Sequence, residues 1–179
     1  MKFGSYRVRA LGASEVQLRP VVTEINIMSL NDLLAAHAVV PALKARNKKQ
    51  VLQELAARGA EVSGSSEREI FETLLQRERL GSTGIGRGVA IPHGKLPKLD
   101  HLVGLFARLE KPIDFDSLDG EPVDLIFLLL APEGAGADHL KALARIARVL
   151  RDDKIAEQLR AARDEQALRA LLTERAAAA

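Results

Sequence analysis

The chain has 179 residues, 47% of them hydrophobic and 28% charged, which is the composition of one globular domain and excludes disordered and collagen-like classes. It contains no cysteine, so a disulfide framework, a thiol nucleophile and a thiolate zinc site are excluded. A formal net charge of +2 and an aromatic content of 3% give little reason to expect a nucleic-acid partner.

The sequence also lacks the signals of a membrane or secreted protein. The longest apolar run, residues 125–131, is far shorter than the roughly 20 residues that span a bilayer. The N-terminus is basic, but no apolar segment of the length found in a secretory signal follows it. We therefore expect a cytoplasmic protein with no membrane insertion.

Hydrophobic patterning sets the expected limits of the domain. Residues 1–27 show no sustained apolar period, and we expect a poorly ordered N-terminal extension there. One folded domain is expected over residues 28–175. The alanine-rich residues 176–179 are expected to form a frayed tail.

Three helices are predicted in the first half of this domain. The first begins after Ser29, a plausible N-cap. The second runs from Asn47 with helical apolar spacing and ends at Gly59. The third begins with a capping box over residues 66–69 and ends at Gly81.

The middle of the chain predicts a sheet. Four glycines within residues 81–88 exclude a regular element there. A short apolar run over residues 89–91 and two longer runs over 102–109 and 123–131 predict strands. The last run has no polar alternation, as in a strand covered on both faces. We therefore expect an α/β fold, with a mixed four- to five-stranded sheet flanked by helices on both faces.

Three further helices complete the predicted domain. The first is capped by Asp138, and the other two run over residues 153–162 and 164–175. The expected buried face of the first comprises Leu140, Leu143, Ala144, Ala147 and Leu150.

His93 is the main candidate for chemistry. It follows a short strand and the glycine-rich loop, and stands between Pro92 and Gly94. A neutral imidazole nitrogen is a nucleophile near pH 7, and successive backbone N–H groups bind anions. The loop precedes a strand and lacks the GxGxxG spacing, so it is no dinucleotide fingerprint. The alternative interpretation is an ordinary surface histidine, and the spacing of the histidines predicts no metal site.

Residues 77–95 resemble a known family. They contain a Ser-Thr-Gly-Ile-Gly block at 82–86 and an Ile-Pro-His-Gly block at 91–94. Together these resemble the enzyme IIA domain of the fructose/mannitol type in the bacterial phosphoenolpyruvate-dependent phosphotransferase system, most closely its nitrogen-regulatory member. The resemblance extends over residues 28–173.

The resemblance implies an active site. It implies that His93 accepts a phosphoryl group from a phosphohistidine on an HPr-like carrier, supported by Arg77 and His139. Ser82 or Thr83, with the backbone of Gly84, would donate to the phosphate, or would orient the other ring nitrogen of His93 through the backbone. For the surface that meets the partner, we expect an apolar rim of Ile85 and Leu96 beside the cationic Lys95.

The resemblance leaves three functions open. A regulator would bind target proteins according to the phosphorylation of His93, and a transport component would pass the phosphate to a fructose/mannitol-type sugar permease. The third is a partner-binding module without phosphotransfer. No permease domain is recognised in the sequence, which favours the regulator. We therefore expect a phosphotransferase component with a mainly regulatory role, and the resemblance implies no cofactor.

Overall fold

A mixed six-stranded sheet organises residues 30–177, the part of the chain that this computed structural model describes, with side chains over 30–173. The strands are β1 (Leu34–Leu43), β2 (Gly84–Gly86), β3 (Val89–Ala90), β4 (His93–Leu96), β5 (Val103–Ile113) and β6 (Val123–Pro132). The helices are α1 (Leu30–Leu33), α2 (Lys48–Ser63), α3 (Glu67–Arg79), α4 (Gly136–Leu150), α5 (Asp153–Ala161) and α6 (Glu165–Ala177). The predicted α/β fold is confirmed, with six strands where four or five were expected.

The strand order places β6 in the centre of the sheet. The order is β1-β5-β6-β3-β2, and β4 pairs with β6 beyond the end of β3. β5 runs antiparallel to β6, whereas β3 and β4 run parallel to it. β6 is therefore a central strand, and helices on both faces of the sheet explain its unbroken apolar run. His93, the first residue of β4, lies opposite Leu129 of β6.

Helices cover both faces of the sheet. A Cβ placed on Gly59 of α2 would lie 3.2 Å from Leu128 Cδ2, so α2 packs on the face that Leu128 shares with Leu130. A Cβ on Gly104 of β5 would meet both the Phe127 ring and α1. Since successive strand residues point to opposite faces, α1 and α2 lie on opposite sides of β6.

Three predictions for the N-terminal half are wrong in part. The helix expected after Ser29 is a single turn, α1, and the following β1 was missed because a bulge at His37, with φ 61°, breaks its apolar alternation. α2 passes through Gly59 and ends at Gly64 with φ 69°. α3 begins after Ser66 as predicted, but the Ser66 side chain makes no capping hydrogen bond.

The C-terminal helices cover the predicted segments, but α4 begins at Gly136 after Ala135, so the predicted cap Asp138 lies inside its first turn. The buried face of α4 also differs. Its buried residues are His139, Ala142, Ile146, Val149 and Leu150. Leu140, which was expected in the core, is 68% exposed. Two apolar stripes satisfy a 3.6-residue period on α4, and packing against β6 and α5 selects one of them. α6 extends to Ala177, two residues into the predicted tail, and residues 1–27 lie outside the described residues.

Gly94 allows α3 to approach the strand that carries His93. A Cβ at Gly94 would lie 2.4 Å from Thr73 Cγ2. We expect Gly94→Ala to lower the free energy of unfolding by about 1–3 kcal/mol, measured by urea denaturation. Adding Thr73→Ser, which removes Cγ2, should restore most of the loss. Gly134→Ala is the matched control, because no atom lies within 4 Å of a Cβ there. Equal stability of Gly94→Ala and wild type would contradict the close approach.

Candidate active site

The two ring nitrogens of His93 have different partners. Nδ1 lies 2.7 Å from the carbonyl oxygen of Ile91, and because a carbonyl only accepts, Nδ1 carries the proton. In the neutral ring Nε2 then carries a lone pair, which accepts a hydrogen bond of 3.0 Å from Arg77 Nε. The backbone thereby presents Nε2 as the nucleophilic nitrogen of a half-buried ring.

Arg77 reaches His93 from the last turn of α3. Its Nη1 donates to the carbonyl of Gly81 at 2.9 Å, which fixes the plane of the guanidinium. With Nε on His93 Nε2, the fork of the guanidinium lies directly beside the nucleophilic atom. The structure therefore brings together two residues that are sixteen positions apart in the sequence.

His139 lies on the other side of His93, in the first turn of α4. The ring centroids are 5.5 Å apart and the rings meet edge to face at 64°. His139 is 8% exposed, and its Nε2 is buried without a hydrogen-bond partner. A buried polar nitrogen without a partner costs free energy, and an oxygen of a bound anion beside His93 would satisfy it. All three residues predicted for catalysis therefore meet at one site.

Burial keeps both imidazoles neutral near pH 7. Burial lowers the pKa of His93 below its ordinary value of 6.5, and Arg77 lowers it too, outweighing the hydrogen bond to Ile91 and the charge of Glu78, which raise it. Burial, His93 and the nearby Lys95 likewise lower the pKa of His139. Both shifts favour the neutral form, and in His93 this is the form that has a nucleophilic Nε2.

This predicts a particular pH dependence. Because the pKa of His93 is lowered, we expect its acceptance of a phosphoryl group to fall less between pH 7.5 and 6.5 than that of an unperturbed histidine, which is half protonated at pH 6.5. The initial rate across this range, with the donor kept fully phosphorylated, measures it. An NMR titration of His93 gives its pKa directly, and a midpoint at or above 6.5 would contradict the prediction.

The site is an open pocket whose lining includes one exposed apolar residue, Leu80, that was not predicted for the partner surface. Besides the three catalytic candidates, its lining comprises Thr73, Gln76, Arg79, Leu80, Gly94 and Lys95. Leu80 is 85% exposed, and Leu140 is the neighbour of His139 in the chain. Leu80 was recognisable in the sequence as an apolar residue beyond the last helical turn, whereas Leu140 was assigned to the core.

The predictions for the other site residues need correction. Leu96 is fully buried in β4 and so is no part of a rim. Lys95 is exposed and lines the pocket as expected. Ile85 is half-buried in β2 and is not among the lining residues, so its role in partner binding stays a prediction.

Ser82, Thr83 and Gly84 are not among the residues that line the pocket. The Ser82 hydroxyl donates to the Phe115 carbonyl at 2.8 Å and accepts from the Gly84 N–H at 3.1 Å. Thr83 is 3% exposed, and its N–H and hydroxyl both donate to the Glu78 carboxylate. These donors are occupied within the protein in this arrangement, and their contact with a phosphate stays a prediction. The other predicted role, orientation of His93 through the backbone, fits the contacts of Thr83.

Comparison with known proteins identifies the family. Residues 32–175 match the family model described as phosphoenolpyruvate-dependent sugar phosphotransferase system, EIIA 2. The chain belongs to this family. It is 68% identical over 145 residues to a nitrogen regulatory protein of Bradyrhizobium diazoefficiens, a match that covers 81% of this chain and 95% of that protein.

A solved structure agrees. The crystal structure of nitrogen regulatory protein IIA-Ntr from Neisseria meningitidis is 38% identical, with a TM-score of 0.76 over 80% of this chain and 99% of that one. The fructose-specific EIIABC component of Bacillus subtilis is 34% identical over 142 residues, which is 79% of this chain and 22% of that protein. The chain is thus a nitrogen-regulatory IIA family member, in a family that transfers phosphate.

Over residues 30–177 no helix is long and apolar enough to cross a bilayer. In that same part of the chain no three histidine or acidic side chains are grouped so that they would hold a metal ion.

Proposed function

We propose that this protein carries a phosphoryl group on Nε2 of His93, accepts it from an HPr-like phosphocarrier, and regulates partner proteins according to its phosphorylation state. One observation supports the first part above all others. The Nε2 lone pair of His93 accepts a hydrogen bond from Arg77 Nε, and the ring of His139, whose buried Nε2 has no partner, lies 5.5 Å away between ring centroids. A nucleophile that lies beside hydrogen-bond donors, and that no anionic side chain contacts directly, suits an incoming phosphoryl group.

The transfer balances without any cofactor. The Arg77 Nε–H moves off the Nε2 lone pair of His93, which then attacks the phosphorus of the donor phosphohistidine as the phosphorus–nitrogen bond of the donor breaks. The electron pair of the broken bond goes to the donor imidazole, while Nδ1 of His93 keeps its proton and its hydrogen bond to the Ile91 carbonyl. In a loose transition state the charge is spread over the three equatorial oxygens, so catalysis consists of positioning and charge stabilisation. Arg77 and His139 supply both.

The same step changes the surface that a partner meets. A phosphoryl group adds up to two negative charges, here to a pocket bordered by the exposed Leu80 and the cationic Arg79 and Lys95. An apolar or acidic partner surface that binds the unmodified rim would lose affinity after phosphorylation. The relatives named nitrogen regulatory proteins support regulation as the outcome. We also propose a cytoplasmic location, in keeping with the absence of cysteine.

Intact mass spectrometry tests the phosphocarrier role. The protein is incubated with phosphoenolpyruvate, enzyme I and an HPr-type carrier, then measured before and after mild acid. We expect one acid-labile phosphoryl adduct, absent from His93→Ala. No adduct on the wild-type protein with any HPr-type donor would contradict the phosphocarrier role and favour the partner-binding module.

Partner capture tests the regulatory role. Wild type, its phosphorylated form, His93→Ala and His93→Asp are used as baits under identical conditions. We expect the phosphorylated form to lose or gain partners relative to His93→Ala. Identical partners for all four baits would contradict a switch at His93.

The alternative is a transport component. The similarity to the fructose-specific protein of Bacillus subtilis favours testing it. Phosphorylated protein is mixed with a purified fructose-type IIB component, and loss of the adduct is followed with time. Quantitative transfer at the rate of a dedicated IIA would support transport, and retention of the adduct would support regulation.

A further inference from the structure

Glu78 is a buried carboxylate next to the active site that the proposed transfer does not use. Its side chain is 6% exposed. Oε1 accepts from the Thr83 N–H at 3.0 Å and from Lys48 Nζ at 2.7 Å, and Oε2 accepts from the Thr83 hydroxyl at 2.6 Å. The three donors compensate the buried charge of Glu78. Removing one of them leaves a buried carboxylate oxygen without a hydrogen bond, which costs free energy of folding.

Lys48 ties this carboxylate to the rest of the fold. Its ammonium also contacts Asp116 at 3.0 Å and lies 4.9 Å from the centre of the Phe115 ring. Burial lowers the pKa of Lys48, but the hydrogen bonds to Glu78 and Asp116 outweigh it and raise the pKa. Glu78 is thus held from the first turn of α2 as well as from the loop after α3.

Two short paths lead from Thr83 to the reacting atoms. On one, the Thr83 carbonyl accepts from the Ile91 N–H at 2.9 Å, and the Ile91 carbonyl accepts from His93 Nδ1. On the other, the Thr83–Glu78 contacts close the loop that contains Gly81, whose carbonyl holds the Arg77 guanidinium. Thr83 therefore lies where the positions of the nucleophile and of the guanidinium are both set.

We propose that Glu78 and Thr83 are positioning residues that hold His93 Nε2 and the Arg77 guanidinium in register for phosphoryl transfer. This inference rests on the proposed function of His93. Neither residue touches the phosphoryl group, because Thr83 is 3% exposed and the Glu78 side chain is turned to Thr83 and Lys48. Their removal affects the chemical step and leaves donor docking unchanged.

The decisive variants change one atom group at a time. Thr83→Val keeps the backbone contacts and the side-chain shape but removes the donor to Glu78 Oε2. We expect kcat for phosphorylation of His93 to fall about tenfold, with KM for the phosphorylated carrier unchanged, since small misplacements of reacting groups cost one to two orders of magnitude. Thr83→Ser restores the hydroxyl and should recover the rate.

A second pair of variants tests the carboxylate. Glu78→Gln replaces one acceptor oxygen by a donor facing Thr83 or Lys48, and we expect a similar loss in kcat. Glu72→Gln is the matched control, because Glu72 lies on the same helix and forms an exposed pair with Arg68. Rates are compared at a temperature where each variant is folded by circular dichroism.

NMR of the unphosphorylated protein gives a readout that does not depend on activity. In the wild type we expect a protected Arg77 Nε–H signal and a His93 ring protonated at Nδ1. Thr83→Val and Glu78→Gln should weaken the Arg77 signal, and Thr83→Ser should retain it. Variants with wild-type kcat, or with reduced kcat and an unchanged Arg77 signal, would overturn the positioning role. If the wild type accepts no phosphate from any donor, the proposed function fails, while the Arg77 signals still decide the positioning.

Discussion

Arg77→Lys should slow phosphorylation of His93 by about a hundredfold, the cost of losing one preorganised donor at developing charge. In the structure the guanidinium donates to His93 Nε2 and to the Gly81 carbonyl at the same time. A lysine ammonium is a point charge without the planar fork, so it keeps the positive charge but not this double contact. The rate of adduct formation, measured by quenched-flow mass spectrometry at saturating donor, gives the effect on the chemical step.

Arg68→Lys is the control for this substitution. Arg68 lies on the same helix, and its side chain is 87% exposed and paired with Glu72, so the change should leave the rate as it is. Unchanged kcat in Arg77→Lys would show that positive charge alone suffices at this position, and the fork geometry would lose its assigned role.

His139→Leu should lower the same rate by about a hundredfold while leaving the folded protein at least as stable. The rate falls because the variant removes a donor 5.5 Å, centroid to centroid, from the His93 ring. Stability moves the other way, because the buried Nε2 has no partner and its removal relieves a desolvation penalty of about 1 kcal/mol. Urea denaturation and adduct formation on the same preparation measure both quantities.

The opposite signs make this test informative. A residue retained for packing would lose stability when replaced, and its rate would fall only as the fold fails. His101→Leu serves as the control, since His101 is on the surface and should change neither quantity. A His139→Leu protein that is clearly less stable but transfers phosphate normally would assign His139 to the core instead of to the site.

The local sequence was sufficient for most of the elements and for the main candidate residue. The helices near α2, α3, α5 and α6 and the central strand β6 follow from apolar period and length, which are properties of short segments. His93 follows from its place between Pro92 and Gly94 after a glycine-rich loop, and the family resemblance connects it with Arg77 and His139. These predictions required no information about contacts between distant segments of the chain.

Other features were not visible in any short segment. A bulge at His37 hides the pattern of β1, and the exposed fraction of Leu140 depends on which face of α4 meets the sheet. The end of α2 depends on Gly59 packing against β6 instead of ending the helix. Each of these three features depends on a contact between segments that are distant in the chain.

The division is clearest at the site itself. By itself the sequence determined the α/β class, the family resemblance and the identity of the residues that meet around His93. Only the tertiary structure decided that Nδ1 carries the proton, that the donors of Ser82 and Thr83 are occupied within the protein, and that Glu78 holds the loop beneath Arg77. The physical reason is that residue type fixes which hydrogen bonds a side chain can make, whereas the partner it finds is set by segments folded against it.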